Sequence, residues 1–394
     1  MKLSSVANGL TGQRMFQIMD RARRLEAEGR EIIHLEIGDP DFPSPPTAVA
    51  ACKAALDAGD THYASSYGLA DLRRIGAMLT ERSRGFRPDI EQIVVTAGAN
   101  VQIYYVVACT VDPGEEVIIL DPSFVSYEAI IRVVGGVAVK VPLRECNGFE
   151  PDLAEIEAAI TQKTRLIIVN SPHNPTGTVY SAATMEGLFR LAVKYDLILL
   201  SDEVYGRMVF SDSAVRFFSP SVFDQCRERV VICHSLSKSY AMTGWRIGAL
   251  TAPEFLARKI ALLLETTSSC VSPFVQRGAI AALTDGNAYA VHMVEEYRVR
   301  RDLMVSALND TPGVHCRAPH GTFYAFANVA STGRDSESFS ELLLDKLGIA
   351  TCPGNYFGPS GEGYVRFCFA QSREKLARAG ELLRGFDPRI AAPA

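Results

Sequence analysis

The stretch RVVICHSLSKSYAMTGWRIG, residues 229–248, begins as an apolar strand and continues into a polar segment that carries Lys238. A lysine directly after a buried strand costs desolvation free energy unless an opposite charge neutralises it or a ligand binds it covalently. Arg246 follows eight positions later and brings a second positive charge. The segment therefore raises the question of which ligand needs a lysine at this place.

The same succession of apolar strand and polar turn recurs from about residue 90 onward, with amphipathic helical patterns between the strands. The strand candidates are QIVVTAG, EEVIIL, VAVKVPL, TRLIIVN, DLILLSDE, RVVICHS and RIGALT. Such alternation predicts an α/β fold in which helices cover both faces of a mainly parallel sheet.

The two ends of the chain differ from this central pattern. From about residue 290 a long charged helix precedes short strands and two more helices, which is typical of a smaller α+β domain. Residues 13–30 form an amphipathic helical pattern that we expect to join that domain. We predict an N-terminal arm at 1–45, a large domain at 46–288 and a small C-terminal domain at 289–394.

Composition excludes several classes of protein. The net charge of −5 and the lack of a Lys/Arg cluster argue against a nucleic-acid partner. The chain shows neither the apolar core of a signal peptide nor an apolar run of about 18 residues, so we expect no membrane association. Nine cysteines without a CxxC pair favour reduced thiols and a cytoplasmic location. Because no HExxH motif occurs, we predict no metal site.

Polar residues collect at the ends of five strand candidates. TAGAN follows QIVV, DPSF follows VIIL, NSPHNPTG follows LIIV, SDEVY follows LILL, and SLSK follows VVICH. Ligands of such sheets bind outside the carboxyl ends of the strands. We therefore expect these segments to form one site.

One part of this site could hold an anion. Gly98, Ala99 and Asn100 open a helix, and their free N–H groups together with the helix dipole suit a phosphate. Ser235, Ser237 and Arg246 could bind the same phosphate, the arginine through two hydrogen bonds. Taken alone, a segment such as TAGAN is more often only a tight connection between a strand and a helix, and serines near strand ends are usually turn or cap residues.

A second set of residues suits a flat aromatic ring. Asp202 could pair with a protonated ring nitrogen, although a structural ion pair would explain it as well. Asn174 and Tyr205 could donate to a phenolic oxygen, and Phe124 could stack on the ring. Pyridoxal 5′-phosphate (PLP) carries a phosphate, a basic ring nitrogen, a phenolic oxygen and an aldehyde that reacts with Lys238. This one cofactor accounts for every residue of both sets.

The motifs NSPHNPTG, SDEVY and SLSKSYAMTGWRIG, in this order and at these separations, resemble those of the PLP-dependent fold-type I aminotransferases of class I/II, the aspartate aminotransferase superfamily. The resemblance extends from HLEIGDPDF to GEGYVRFCFA, nearly the whole chain. It implies the PLP transferase fold of type I, with a seven-stranded large domain and a smaller α+β domain. It also implies PLP as the cofactor, and an amino acid and a 2-oxo acid as substrates.

The resemblance assigns a role to each motif residue. Lys238 corresponds to the Schiff-base lysine, and Asp202 to the partner of the ring nitrogen. The other expected cofactor contacts are Gly98, Ala99, Asn100, Phe124, Asn174, Tyr205, Ser235, Ser237 and Arg246. Arg366 corresponds to the arginine that binds the substrate α-carboxylate, with Asn174 and the backbone of Gly38 beside it.

The resemblance further implies a mechanism and an assembly. In ping-pong transamination, Lys238 leaves the imine and shuttles a proton between the substrate Cα and C4′ of the cofactor, with Asp202 and Tyr205 as the other catalytic residues. Tyr63 corresponds to a tyrosine that reaches the phosphate of the neighbouring subunit. We therefore expect a homodimer with shared active sites.

The substrate is less well defined. Residues 262–276 contain no basic residue that could bind a distal carboxylate, and the helix at 101–111 contains no lysine. We therefore expect an uncharged substrate side chain, selected near Met15, Phe16 and residues 262–276. A dicarboxylate aminotransferase with other distal contacts, and a fold-type I β-lyase or cyclising lyase, remain alternatives. A DNA-binding regulator would need an additional basic segment, and a nicotinamide enzyme would need a GxGxxG turn.

Overall fold

The computed structural model describes residues 2–10 and 12–389. Its helices are α1 Ser5–Asn8, α2 Met15–Ala27, α3 Pro46–Asp57, α4 Ala70–Arg84, α5 Ala99–Thr110, α6 Ser126–Val133, α7 Leu153–Ala159, α8 Ala182–Lys194, α9 Ser221–Asp224, α10 Leu236–Ser239, α11 Glu254–Ser268, α12 Pro273–Asp285, α13 Asn287–Asn309, α14 Ser336–Leu347 and α15 Arg373–Arg384. Its strands are β1 Ile33–His34, β2 Ile93–Thr96, β3 Glu116–Asp121, β4 Val137–Pro142, β5 Thr164–Asn170, β6 Ile198–Asp202, β7 Val230–Ser235, β8 Gly248–Thr251, β9 His315–Cys316, β10 Tyr324–Asn328, β11 Ile349–Ala350, β12 Cys352–Pro353 and β13 Tyr364–Cys368.

Seven strands form the large sheet in the order β2-β8-β7-β6-β5-β3-β4. The pairs from β7 to β4 are parallel, whereas β8 runs antiparallel to both of its neighbours. Each of the seven apolar runs in the sequence forms one of these strands, because β-branched and aliphatic side chains suit strands that are buried on both faces.

Helices cover both faces of the large sheet. Alternate residues of β5 point to opposite sides, so Leu166 and Ile168 pack with α5, α6 and α11, and Ile167 and Val169 pack with α7 and α8. This arrangement leaves the carboxyl ends of the parallel strands as the open edge where polar residues can collect. The predicted α/β fold with a mainly parallel seven-stranded sheet is confirmed.

A smaller antiparallel sheet, in the order β12-β13-β10-β9, lies in the C-terminal part of the chain. Helices α13 and α15 bury their apolar residues against it. The smaller α+β unit is therefore confirmed.

The N-terminal segment contacts the C-terminal part. Strand β1 pairs in parallel with β11, and Ala22 of α2 packs with Leu344 of α14. These contacts support the predicted association of the arm with the small domain. The limits at residues 45 and 288 stay predictions, and Met1, Thr11 and residues 390–394 of the predicted units lie outside the described part of the chain. No helix among the described residues has both the length and the apolar character needed to cross a membrane.

Candidate active site

A cleft of about 390 Å³ opens at the carboxyl ends of the parallel strands. Nearly all of the residues predicted from the strand-end motifs line it: Gly38, Ala99, Asn100, Phe124, Asn174, Asp202, Tyr205, Ser235, Ser237, Lys238, Arg246 and Arg366. The N-terminal part of the chain adds four further lining residues: Gln13, Met15, Phe16 and Ile37. The fold thus brings together side chains from segments that are far apart in the sequence.

Lys238 lies in the short helix α10 that directly follows β7. Its Nζ donates a hydrogen bond of 2.6 Å to the carbonyl oxygen of Gly38. Burial lowers the pKa of the Lys238 amine to about 8, and the carboxylate of Asp39 opposes this effect. Near this pH a large fraction of the amine is neutral, which is the state that attacks a carbonyl carbon.

Asp202 is the last residue of β6 and is only 4% exposed. Its carboxylate accepts from two neutral donors, the hydroxyl of Tyr127 at 2.6 Å and the backbone N–H of Val204 at 3.2 Å. Burial raises the pKa of Asp202 to about 6, and these hydrogen bonds oppose the rise. A buried carboxylate held by neutral donors would gain from a cationic ligand, as the sequence analysis expected of a ring nitrogen.

Two residues that support this region were missed in the sequence. Tyr127 lies three positions after Phe124, in the first turn of α6, where its hydroxyl reaches Asp202. Asn170 ends β5, donates to the carbonyl oxygen of Asp202 at 2.9 Å and accepts the N–H of Asn174. Asn170 stood in the quoted motif at a strand end and could have been found there, whereas Tyr127 carried no comparable pattern.

The predicted phosphate site is built from α5 and the segment around Arg246. Gly98 precedes α5 with a φ of 87°, and a Cβ at this position would overlap with the Arg246 guanidinium. Arg246 donates to the carbonyl oxygens of Thr243 at 2.8 Å and Ala97 at 3.3 Å. Glycine therefore lets the guanidinium approach the helix N-terminus closely, which concentrates positive potential there.

The two serines of this site are linked to each other. The hydroxyl of Ser235 donates to that of Ser237 at 2.8 Å and accepts the Ser237 backbone N–H at 3.1 Å. Both residues are buried at the cleft, next to Lys238 in the sequence. The Ser235 hydroxyl also lies 3.2 Å from the carbonyl oxygen of Ile247, which directly follows Arg246 in the sequence.

Arg366 of β13 is 1% exposed, yet it faces the cleft. Its Nη1 donates to Oδ1 of Asn174 at 3.0 Å and its Nη2 to the carbonyl oxygen of Glu36 at 2.6 Å. The guanidinium packs 4.3 Å from the ring centre of Tyr324 and 4.6 Å from that of Phe357. Its Nε is buried with no hydrogen-bond partner among the described residues. This donor set suits a carboxylate ligand.

Gly38, Tyr205 and Tyr324 meet beside Arg366. The hydroxyls of Tyr205 and Tyr324 lie 2.9 Å apart. A Cβ at position 38 would overlap with the Tyr324 hydroxyl, so Gly38 is required by close packing. Tyr324 is a further cleft residue that the sequence analysis did not identify.

Tyr63 does not lie with the other predicted residues. Its side chain is 88% exposed and is not part of the cleft lining. The neighbouring Ala64 N–H donates to the Cys270 Sγ at 3.4 Å, which attaches this loop to the segment 262–276. Neither the loop nor that segment lines the cleft of a single chain. In the described part of the chain, no cluster of three or more His, Cys, Asp or Glu residues is placed to hold a metal ion.

Comparison with known proteins identifies the family. Residues 30–383 match the family of class I and II aminotransferases. The chain belongs to this family. An arginine–pyruvate transaminase of Pseudomonas aeruginosa is 39% identical over 372 residues, which cover 93% of each chain. An aromatic-amino-acid aminotransferase of Thermococcus litoralis is 38% identical over 366 residues, which cover 92% of each chain.

Solved structures agree with this class I and II assignment. Aspartate aminotransferase from Thermus thermophilus with maleate has a TM-score of 0.93 and 32% identity, and the match covers 98% of this chain and 99% of that one. The chain is accordingly a PLP-dependent aminotransferase, since members of the family depend on this cofactor. The cleft fits PLP, because it offers a primary amine, a buried carboxylate with neutral donors and a cationic helix N-terminus.

Proposed function

We propose that this aminotransferase transfers the amino group of an L-amino acid with an uncharged side chain to a 2-oxo acid, in a ping-pong reaction. One observation supports an uncharged substrate side chain. Among the described residues that line the cleft, the positively charged side chains are Lys238, Arg246 and Arg366. We assign all three to the cofactor or the α-carboxylate, so none is left to bind a distal carboxylate.

The cofactor would be held at both ends. Lys238 would attach to it covalently, and Phe124 would stack on its ring. Its phosphate would be bound by the residues at the start of α5 and around Arg246: Gly98, Ala99, Asn100, Ser235, Ser237 and Arg246. Asn174 and Tyr205 would donate to its phenolic oxygen, and the Asp202 carboxylate would face its ring nitrogen. When bound, PLP supplies an electron sink that stabilises negative charge at the substrate Cα.

Other residues would hold the substrate and move its proton. Arg366 would bind the α-carboxylate through two parallel N–H groups, with Asn174 and Gly38 beside it. Because burial lowers the pKa of the Lys238 amine to about 8, its neutral form, which would take the proton from the substrate Cα, is more accessible than that of an ordinary lysine. Burial raises the pKa of Asp202 to about 6 in the cofactor-free protein, and a positively charged ring nitrogen beside this carboxylate would favour its ionised form.

We also propose a homodimer with shared active sites, in which Tyr63 donates to the cofactor phosphate of the neighbouring subunit. The 88% exposure of a tyrosine outside its own cleft supports this role. The hydrogen bond between Ala64 and Cys270 means that residues 262–276 would approach the same neighbouring site. Light scattering should give a dimer at micromolar concentration, and a monomer would contradict the proposal.

A cytoplasmic location is proposed from the cysteines. All nine are free thiols, and five of them are buried. Titration of the denatured protein without reductant should find nine thiols. Disulfide-bonded cysteines in protein taken directly from its cells would argue for an oxidising compartment instead.

An amino-donor screen tests the proposed reaction. Alanine, leucine, phenylalanine, aspartate and arginine would each be offered with pyruvate or 2-oxoglutarate, and the 2-oxo product would be measured. We expect the highest kcat/KM for an uncharged donor. Preference for aspartate or arginine would contradict the substrate class, and ammonia release without an acceptor would indicate a lyase.

A further inference from the structure

Tyr324 lies where the proposed cofactor and carboxylate contacts meet. It is the first residue of β10, is 2% exposed and lines the cleft. Its hydroxyl is 2.9 Å from the hydroxyl of Tyr205, and its ring packs against the Arg366 guanidinium. The space for this hydroxyl exists because residue 38 is a glycine.

The direction of the bond between the two hydroxyls matters for the cofactor. Each phenol has one proton to donate, and it can accept further hydrogen bonds through its lone pairs. If Tyr205 donated to Tyr324, it would present only lone pairs to a phenolic oxygen of the ligand. If Tyr324 donates to Tyr205, the Tyr205 proton is free to point into the cleft. Hydrogen bonds in such a chain polarise one another, so Tyr205 also becomes a stronger donor.

We propose that Tyr324 is a positioning residue that donates to Tyr205 and thereby directs the Tyr205 proton to the phenolic oxygen of PLP. The inference rests on the proposed role of Tyr205 and goes beyond it, because it assigns a function to a residue outside the three motifs. Tyr324 itself acts through Tyr205 and through the packing of its ring on Arg366.

The consequence is visible in the cofactor spectrum. When PLP is bound, its phenolic oxygen would share a proton with the nitrogen that Lys238 provides, and a hydrogen bond from Tyr205 to that oxygen would stabilise the form that has lost this proton. A weaker Tyr205 donor should therefore raise the pH at which the visible absorbance band changes. The titratable groups around the two phenols, which all variants retain, are Asp202 on β6, Cys352 on β12, and Arg366 and Cys368 on β13.

The test compares holoenzyme variants by absorbance titration. Tyr324→Phe should raise the midpoint by about 0.5 pH unit, roughly a threefold change in the proton dissociation constant. Tyr205→Phe should raise it further, and the double variant should match Tyr205→Phe alone, because Tyr324 acts through Tyr205. The matched control is Tyr297→Phe, which removes another buried hydroxyl, one without a hydrogen-bond partner among the described residues.

A second variant keeps the inference testable if Tyr324→Phe does not fold. Incorporation of 3-fluorotyrosine at position 324 keeps the hydroxyl and makes it more acidic, hence a stronger donor, so the midpoint should fall. The inference is overturned if Tyr324→Phe behaves like Tyr297→Phe, or if its shift adds to that of Tyr205→Phe. It is also overturned if the fluorinated enzyme shifts upward or not at all.

Failure of the proposed function and failure of the role proposed for Tyr324 would give different results. If the wild-type enzyme carries no PLP on Lys238, the proposed assignment of the site fails and the inference fails with it. If the wild-type band titrates and Tyr205→Phe shifts it while Tyr324→Phe does not, only the role of Tyr324 is wrong.

Discussion

Two sets of residues that line the cleft differ in how they are held in place. The cleft floor, formed by Asn170, Asp202, Ser235 and Lys238, comes from consecutive ends of parallel strands, and its residues are fixed by sheet register and hydrogen bonds. The cleft rim, formed by Gln13, Met15, Phe16 and Ile37, comes from α2 and the segments beside α2 and β1. The rim side chains are uncharged, and the Gln13 side chain donates to the Ser126 hydroxyl at 3.0 Å. We therefore expect mutations of the floor to affect the chemical step, and mutations of the rim to affect which amino acid is preferred.

The largest effect is expected for Lys238→Ala on the cleft floor. Turnover should be abolished, because both the covalent attachment and the proton acceptor at Cα are lost. Lys194→Ala, which changes a surface lysine paired with Glu157, serves as the control. Steady-state rates and circular dichroism would be measured together. An active, folded Lys238→Ala enzyme would contradict the proposal that the cleft floor performs the chemistry.

Asp202→Asn should have the next largest effect. It would remove the charge that we propose keeps the ring nitrogen protonated, but it retains an oxygen that accepts from Tyr127. The loss should appear as a fall of several orders of magnitude in kcat with a smaller change in KM, since the electron sink acts in the transition state. A variant with most of its activity would show that Asp202 is structural.

The same variant has a pH-dependent effect on the stability of the cofactor-free protein. The pKa of Asp202 is raised from 3.8 to about 6, so its contribution to stability is present at low pH and is lost as the pH rises through about 6. Asp202→Asn should therefore stabilise the cofactor-free protein near pH 8, by at most about 3 kcal/mol. The gain should be at least about 1 kcal/mol smaller near pH 4.5. Denaturant unfolding at both pH values would measure it, and equal effects would contradict the assigned pKa.

Arg366→Lys should lower kcat/KM without altering the ranking of amino donors. Lysine keeps the charge but loses the two-point contact, so kcat/KM should fall at least about tenfold for each 1.4 kcal/mol lost. The loss should be similar for all donors, because all share the α-carboxylate. An altered ranking of donors that spares the best one would place Arg366 in side-chain selection instead.

The smallest effect is expected on the rim. Phe16 is 45% exposed and lines the cleft, so Phe16→Ala should leave the floor intact. We expect the ratio of kcat/KM for phenylalanine and alanine to change by about tenfold or less, as apolar contacts discriminate weakly. Phe255→Ala, an exposed phenylalanine outside the cleft lining, is the control. Unchanged donor ratios would show that selection lies elsewhere, with residues 262–276 as the next candidate.

The sequence predicted the cleft floor better than its supports, for a physical reason. Floor residues follow apolar strands, so local pattern and the geometry of parallel sheets suffice to bring them together. Tyr127 and Asp202 are 75 residues apart, and Tyr205 and Tyr324 are 119 apart, so their bonds depend on tertiary packing that no local pattern encodes. The role of Tyr63 depends on a second subunit and stays a prediction.

The proposed reaction requires that Lys238, at the cleft floor, bind the cofactor covalently. Borohydride reduction of the holoenzyme, followed by proteolysis and mass spectrometry, measures this directly. We expect one reduced PLP adduct per chain, on the peptide that contains Lys238. An adduct on any other lysine, or none at all, would contradict it.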